Sequence, residues 1–449
     1  LLEQRDEAIA GYDRALALLN QLRADAPDDP DYRQQVAHCR NYQGEVHRAA
    51  GRHRQAEAAY REAVQIDGTL ARDFPDSPDH RMNLARALYS LGIVLTETNR
   101  LAEAEPEFVR SADLLQKLTN EFPDKPIYQQ HLARAYLNLG TAIQSPQRFN
   151  EAQAAYNRAQ RLQQPLSEKY PHEPQYRHEL AVTLKDSGNL FLRDNRLEEA
   201  RKSYGKAQEL LTALAADYPK VLVYRQELAS TLNSIGRVHF DEARYEAAVG
   251  PWQDAAKLLE ALLGERPDTP TYQGDLGTVL GNLGLAKIAL KRHADARTHL
   301  EQAVDRLNAA LAKSGSHYVY QEALRDAYQN LAETLVTLGD HRAAAAAARG
   351  LAIAPSSTVL HRYYSACFLA RCVPLAEGDK DLGPDKGREL AKAYADESVA
   401  ALREALEKGF NDVKRISADQ DTIFKAVAPR ADFRAIVAQL SDKVTSASR

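Results

Sequence analysis

The sequence predicts an all-α fold, a solenoid of antiparallel helix hairpins, from three regularities that share one period of 48 residues. An aromatic residue or histidine recurs at Tyr32, His80, Tyr128, Tyr176, Tyr224, Tyr272 and Tyr320. Proline recurs at Pro27, Pro75, Pro123, Pro171, Pro219 and Pro267, with a second three residues later at Pro30, Pro78, Pro126, Pro174 and Pro270, replaced once by Leu222. Between these markers each unit holds two apolar patterns of helical period separated by a short polar break.

The third unit shows the pattern. Leu132, Ala135, Tyr136, Leu139 and Ile143 form one stripe, which predicts a first helix from about Tyr128 to Gln144. Ser145 to Asn150 read as the turn. Ala152, Tyr156, Ala159, Leu162, Leu166 and Tyr170 give a second stripe and predict a helix from about Glu151 to Lys169. Pro171 and Pro174 end it, because proline lacks an amide donor and disfavours helix in the residue before it.

The small residues have a spacing of their own. Gly44, Ala56, Tyr60 and Ala63 are matched by Gly140, Ala152, Tyr156 and Ala159, by Gly188, Ala200, Tyr204 and Ala207, and by Gly236, Ala248, Trp252 and Ala255. Gly92, Ala104 and Phe108 are followed by Ser111, and Gly284 and Ala296 by Leu300 and Ala303. Glycine and alanine let two helices approach closely while the aromatic fills the space beside them. This series resembles the tetratricopeptide repeat. The resemblance implies a right-handed superhelix whose first helices line a concave face, with helices longer than those of the usual repeat of about 34 residues.

The ends depart from the pattern. Residues 1–30, with Ala8, Tyr12, Ala15, Leu18 and Leu22, read as the second helix of a truncated upstream repeat, so the chain is expected to be a piece of a longer protein. Residues 31–355 read as seven repeats, the last degenerate: Leu331-Ala332 stands for Leu-Gly, Ala348 for the aromatic and Gly315 for the linker proline. Residues 356–410 read as an atypical eighth hairpin, with helices from about Ser357 to Leu375 and Arg388 to Lys408, and 411–449 as a helical cap with a helix from about Ala431 to Lys443. Leu402 to Phe410, Asp419, Asp421, Arg430 to Phe433 and the linker from Phe74 to His80 are similar to segments of the repeat arrays in large bacterial serine/threonine protein kinases, notably those of planctomycetes. That resemblance implies a partner-recruiting region attached to a kinase.

Composition excludes several other classes. Lys plus Arg number 58 against 62 Asp plus Glu, a net charge of −4 that leaves no basic footprint for nucleic acid. Three cysteines, Cys39, Cys367 and Cys372, are too few for a disulfide framework and point to a reducing, cytoplasmic setting. The longest apolar stretch, from Ala343 to about Ala354, is too short to cross a bilayer, which needs roughly 20 residues. Kinase motifs are missing: Asp73-Phe74 is followed by Pro75, and His47-Arg48 by Ala49. His172-Glu173 and His178-Glu179 lack the second histidine of a zinc site, so neither catalytic residue, metal nor cofactor is expected.

Binding of a protein or peptide segment is the function this leaves, with self-association of the parent protein as the alternative. The resemblance puts the binding groove on the first helices of the hairpins. The candidate contacts there are His38, Asn41, Arg86, Tyr89, Arg134 and Asn138, then Lys185, Asn189, Asn233 and Arg237. Arginine and tyrosine anchor interfaces most often, and guanidinium groups flanked by amides suit an acidic segment. Farther along, Leu192, Phe240, Leu285, Ile288 and Val336 make the groove more apolar. The Lys, Asn, Asn, Lys and Arg set of chaperone-binding repeats is not found.

Overall fold

A computed structural model describes residues 2–26, 29–143, 145–314 and 317–447. Pro27, Gln144 and Gly315 lie outside the described residues. Among the described residues the chain is helical throughout, without a strand, and it divides into two compact units, Leu1–Tyr218 and Pro219–Arg449.

In the first unit the leading (A) helices are α2 (Pro30–Ala49), α4 (Pro78–Glu97), α6 (Pro126–Ala142) and α8 (Pro174–Arg193). The following (B) helices are α1 (Leu2–Asp25), α3 (His53–Asp73), α5 (Leu101–Glu121), α7 (Phe149–Lys169) and α9 (Leu197–Asp217). The second unit continues with A helices α10 (Leu222–Asp241), α12 (Pro270–Ala289), α14 (Tyr318–Leu338) and α16 (Val359–Glu377). Its B helices are α11 (Tyr245–Glu265), α13 (His293–Ser314), α15 (His341–Ile353) and α17 (Pro384–Glu407), followed by α18 (Val413–Gln420) and α19 (Ala431–Ala447). Successive A-helix starts from Pro30 to Tyr318, and B-helix starts from His53 to His341, are 48 residues apart.

Each A helix that opens with the second proline begins two residues before the aromatic marker, so α6 starts at Pro126 rather than Tyr128. Proline at the first helical position sacrifices only an amide that would have no intrahelical partner. Asp29 and Ser77 cap α2 and α4 with their side chains. The markers themselves pair across the loop: Phe74 with His80 at 5.4 Å between centroids, Phe122 with Tyr128 at 6.0 Å and Tyr170 with Tyr176 at 5.6 Å.

The turn from A to B places one residue in the left-handed region: Gly51, Asn99, Asn195, Ala243, Lys291 and Gly339, with φ between 57° and 79°. The third repeat is the exception. Pro146 follows α6 too early for this turn, so α6 ends at Ala142, and a short 3₁₀ turn, Pro146–Arg148, leads into α7 at Phe149 rather than Glu151. Ala243 carries the strain of a Cβ at φ 57°, about 1–2 kcal/mol, against which glycine loses about 0.5–1 kcal/mol of backbone entropy. Ala243→Gly is therefore expected to raise the melting temperature, by about 0.5 kcal/mol in stability. Asn195→Gly should change it less, because asparagine tolerates this conformation; equal shifts for the two would contradict the account.

Arginine precedes every B helix from α3 to α13: Arg52, Arg100, Arg148, Arg196, Arg244 and Arg292. A cation at a helix N-terminus opposes the helix dipole, so it has to be offset. Arg100 bridges Glu103 on its own helix, at 2.6 Å, to Glu57 of the preceding B helix, at 2.7 Å. Arg148 does the same with Glu151 and Glu105, both at 2.7 Å. Within repeats, Arg33 pairs with Asp73, Arg81 with Glu121, Arg177 with Asp217 and Arg225 with Glu265, each joining the head of an A helix to the tail of its B helix.

The terminal elements differ in detail from expectation. Gly383, at φ 73°, turns the chain so that Pro384 opens α17, four residues before Arg388. Helix α18 is not anticipated by the sequence pattern, and α19 runs on to Ala447. Tyr363 of α16 is fully buried under Phe410, 4.4 Å away and stacked, with Phe424 at 6.0 Å and its hydroxyl donating to Asp419. On α1, Leu18 and Leu22 are exposed and the neighbouring Leu16 is buried.

Candidate functional site

The A helices carry all the predicted groove residues, but the structure divides them by what they already hold. Tyr89 accepts a hydrogen bond from Asn138 Nδ2 at 3.0 Å, linking α4 to α6. Arg134 donates through Nε, at 3.0 Å, to Glu179 on α8, which also accepts from Gln130 Nε2 at 2.8 Å. Asn189 Oδ1 accepts from Tyr204 OH at 2.7 Å, and Lys185 is half-buried on α8 and likewise engaged. In the second unit Asn233 accepts from Asn282 Nδ2 at 2.9 Å, and Arg237 pairs with Asp241 one turn on, at 2.8 Å. These groups tie each A helix to itself, to its own hairpin or to the next A helix.

His38, Asn41 and Arg86 come together instead. With Tyr42, Asn83 and Asp67 they line a cavity of about 10 Å³ between α2, α3 and α4, room for a single water. His38 Nε2 and Asn41 Oδ1 are buried there without a hydrogen-bond partner. Tyr42 is 42% exposed beside them. Asp67 forms the floor, 2% exposed, and accepts from Gln34 Nε2 at 3.1 Å. Gln34 Oε1 lies 2.8 Å from His80 Nδ1, and because its amide nitrogen faces Asp67, the imidazole nitrogen is the donor. Burial, opposed only by Gln34 and by the more distant charge of Arg86, pushes the Asp67 carboxyl up to about 7.

Asp67, Tyr42 and Asn83 are missed by the motif comparison, yet Asp67 leaves a trace in the sequence. Its register in later repeats is held by Leu115, Gln163, Leu211, Leu259 and Leu307, all buried. Gln163 is the other polar residue of the row, and neither polar atom of its side chain has a partner. Next along the face, burial and the charges of Arg134 and Arg86 hold His131 down at about 4, a neutral imidazole between two guanidinium groups. Arg86 thus stands between the unpartnered atoms of His38 and Asn41 and the neutral His131, while Arg134 is paired with Glu179.

The opposite side holds a larger groove. About 810 Å³ opens between the B helices α7 and α9 over Leu180 and Leu184 of α8, edged by Arg161, Glu168, Lys206 and Glu209. Arg161 also edges a second groove of about 400 Å³ floored by Tyr136 and Leu162. The larger groove carries charges of both signs, whereas Arg158 and Arg161 are the charged residues of the smaller one.

Little else is disposed for chemistry. Burial pushes the thiols of Cys367 and Cys372 up to about 12, which leaves them protonated and unreactive. His341 sits between Asp379, 3.0 Å from Nε2, and Tyr394, 3.1 Å from Nδ1, but His341 and Tyr394 are 3% and 2% exposed, so no substrate reaches the relay. No three potential metal ligands converge, and no helix is long and apolar enough to cross a membrane, among the described residues.

A family model described as a tetratricopeptide repeat matches residues 228–271, the stretch that holds Gly236, Ala248, Trp252 and Ala255. Among solved structures, the apo form of RapI is similar over 92% of this chain and 99% of its own, with 12% identity and a TM-score of 0.51. Aspartyl phosphate phosphatase F from Bacillus subtilis is similar over 91% of this chain and 94% of its own, with 16% identity and a TM-score of 0.39. BtubC from P. vanneervenii matches over 55% of this chain and 87% of its own, with 18% identity and a TM-score of 0.42. No curated protein sequence matches the chain. The repeat match supports a tetratricopeptide repeat at residues 228–271, and the likeness to RapI shows a shared helical fold.

Proposed function

We propose that this chain is a non-catalytic protein-binding module whose A-helix face holds a segment of a partner protein, with the cavity between α2, α3 and α4 as its recognition point. The observation that supports this reading is the partnerless set at that cavity. His38 Nε2 and Asn41 Oδ1 lack hydrogen bonds, and Arg86 has no carboxylate in ion-pair contact among the described residues, whereas Tyr89, Arg134, Asn138, Lys185 and Asn189 on the A helices of the same unit are engaged. Buried polar atoms without partners cost about 1–3 kcal/mol each, and such departures from good packing concentrate at functional sites. Tyr42 beside Arg86 supplies the residue types that dominate binding hot spots. The sparse cysteines support a cytoplasmic setting, and the resemblance of the linkers and C-terminal segment to bacterial kinase arrays supports a module that recruits partners to a serine/threonine kinase.

A peptide-array screen tests the assignment. Peptides retained by the native chain are expected to be lost with Arg86→Glu and kept with Arg237→Glu, whose guanidinium is already committed to Asp241. An unchanged set of bound peptides with Arg86→Glu sinks the assignment of the face.

A further inference from the structure

The chemistry of the recognition point extends this reading, and rests on it, in naming what the segment brings. Asp67 and Arg86 line the same water-sized cavity without touching. The carboxylate has one hydrogen-bond donor, Gln34, and is otherwise walled in by α2, α3 and α4. The guanidinium is half-buried at the rim of the cavity, with Tyr42 exposed nearby. A lone guanidinium neutralises one carboxylate well, and two competing carboxylates poorly.

We propose that Arg86 is contested by two carboxyl groups, the buried Asp67 and a carboxylate of the bound segment, so that capture of an acidic segment and protonation of Asp67 occur together. The balance is simple: one proton passes from solvent to Asp67, and the ligand's negative charge takes its place beside Arg86. The other charged and titratable groups lining the cavity are His38 and Tyr42 from α2 and Arg86 from α4, with His80 of α4 behind Gln34 and His131 of α6 near both Arg86 and Arg134. His131 is held neutral from about pH 4 upward, so it does not titrate between pH 6 and 8. Arg134 stays paired with Glu179. Asp67, held near 7, is ionised at pH 8 and protonated at pH 6.

Calorimetric titration of the full chain with a capped Gly-Glu-Gly-Glu-Gly peptide and its Gln counterpart tests the proposal. The Glu peptide is expected to bind on the order of tenfold tighter at pH 6 than at pH 8, with proton uptake read from the dependence of the heat on buffer at pH 8. The Gln peptide should bind weakly at both. Asp67→Asn should bind the Glu peptide equally at both pH values with no proton uptake, and Arg86→Gln should lose it. Affinity that is independent of pH, equal affinity for the two peptides, no binding of either, or a pH dependence that survives Asp67→Asn each overturns the proposal. If the array screen still loses its peptides with Arg86→Glu in any of these cases, the binding face stands and only the carboxylate exchange falls.

Discussion

Asp67→Asn is expected to stabilise the first unit by about 4 kcal/mol at pH 8 and by far less at pH 4. The carboxyl ionises near 3.8 in the unfolded chain and near 7 in the fold. Below pH 3.8 both states hold the proton and Asp67 makes no pH-linked contribution. Between 3.8 and 7 the unfolded chain releases its proton and the folded chain keeps it, so stability falls by about 1.36 kcal/mol per pH unit. Above 7 the full penalty persists. Asparagine keeps an acceptor for Gln34 Nε2, so the buried amide is not orphaned, and the charge is all that is removed. Urea unfolding followed by circular dichroism at pH 4, 6 and 8 measures the effect. A gain of the same size at every pH would show that packing, and not ionisation, sets it. The native residue thus weakens the fold at the position where the binding reading needs a proton acceptor.

Gly188→Val is expected to destabilise the first unit by about 3 kcal/mol although valine is the better helix former. A Cβ at Gly188 would lie 2.6 Å from the ring of Tyr204, well inside van der Waals contact. The ring cannot retreat: Tyr204 is fully buried and its hydroxyl is fixed on Asn189. Overpacking of this kind moves backbone rather than one rotamer. In the double variant with Tyr204→Ala the second change should cost less than it does alone, a positive coupling readable from a thermodynamic cycle. Additive costs would mean that the ring and the glycine do not constrain each other. The same close approach recurs at Gly236, where a Cβ would come within 2.5 Å of Trp252.

These contacts explain what could be read from the sequence. The glycine–aromatic pairs, the proline starts and the aromatic markers act within one hairpin or its connecting loop, so their spacing in sequence is their spacing in structure. The ion pairs keep the same period: Arg33, Arg81, Arg177 and Arg225 stand at multiples of 48, as do Asp73, Glu121, Asp217 and Glu265, the third repeat having Gln129 and Lys169 in their places. The candidate site was legible only in part. His38, Asn41 and Arg86 follow from the motif, but whether a groove side chain is free depends on its neighbour in the next repeat. Arg134 meets Glu179 and Asn138 meets Tyr89, and no pattern within a single repeat foretells either. Asp67 lies on a B helix, outside the face the motif assigns to binding, and is marked only by its break in a leucine row. Helix α18 has one fully buried residue, Ile416, too little to make a periodic stripe.

The arginine that opens each B helix carries a genetic corollary. Arg100 reaches back 43 residues to Glu57, and Arg148 reaches back 43 to Glu105. Were the stretch from Pro126 to Glu173 excised by unequal recombination, Arg196 would arrive where Arg148 had been, opposite Glu105. A tandem duplication of the same stretch would instead set the second copy's arginine opposite Gln153, where no carboxylate waits. Excision of one whole period thus preserves the joint at Glu105, and excision of any other length strands a cation at a helix start.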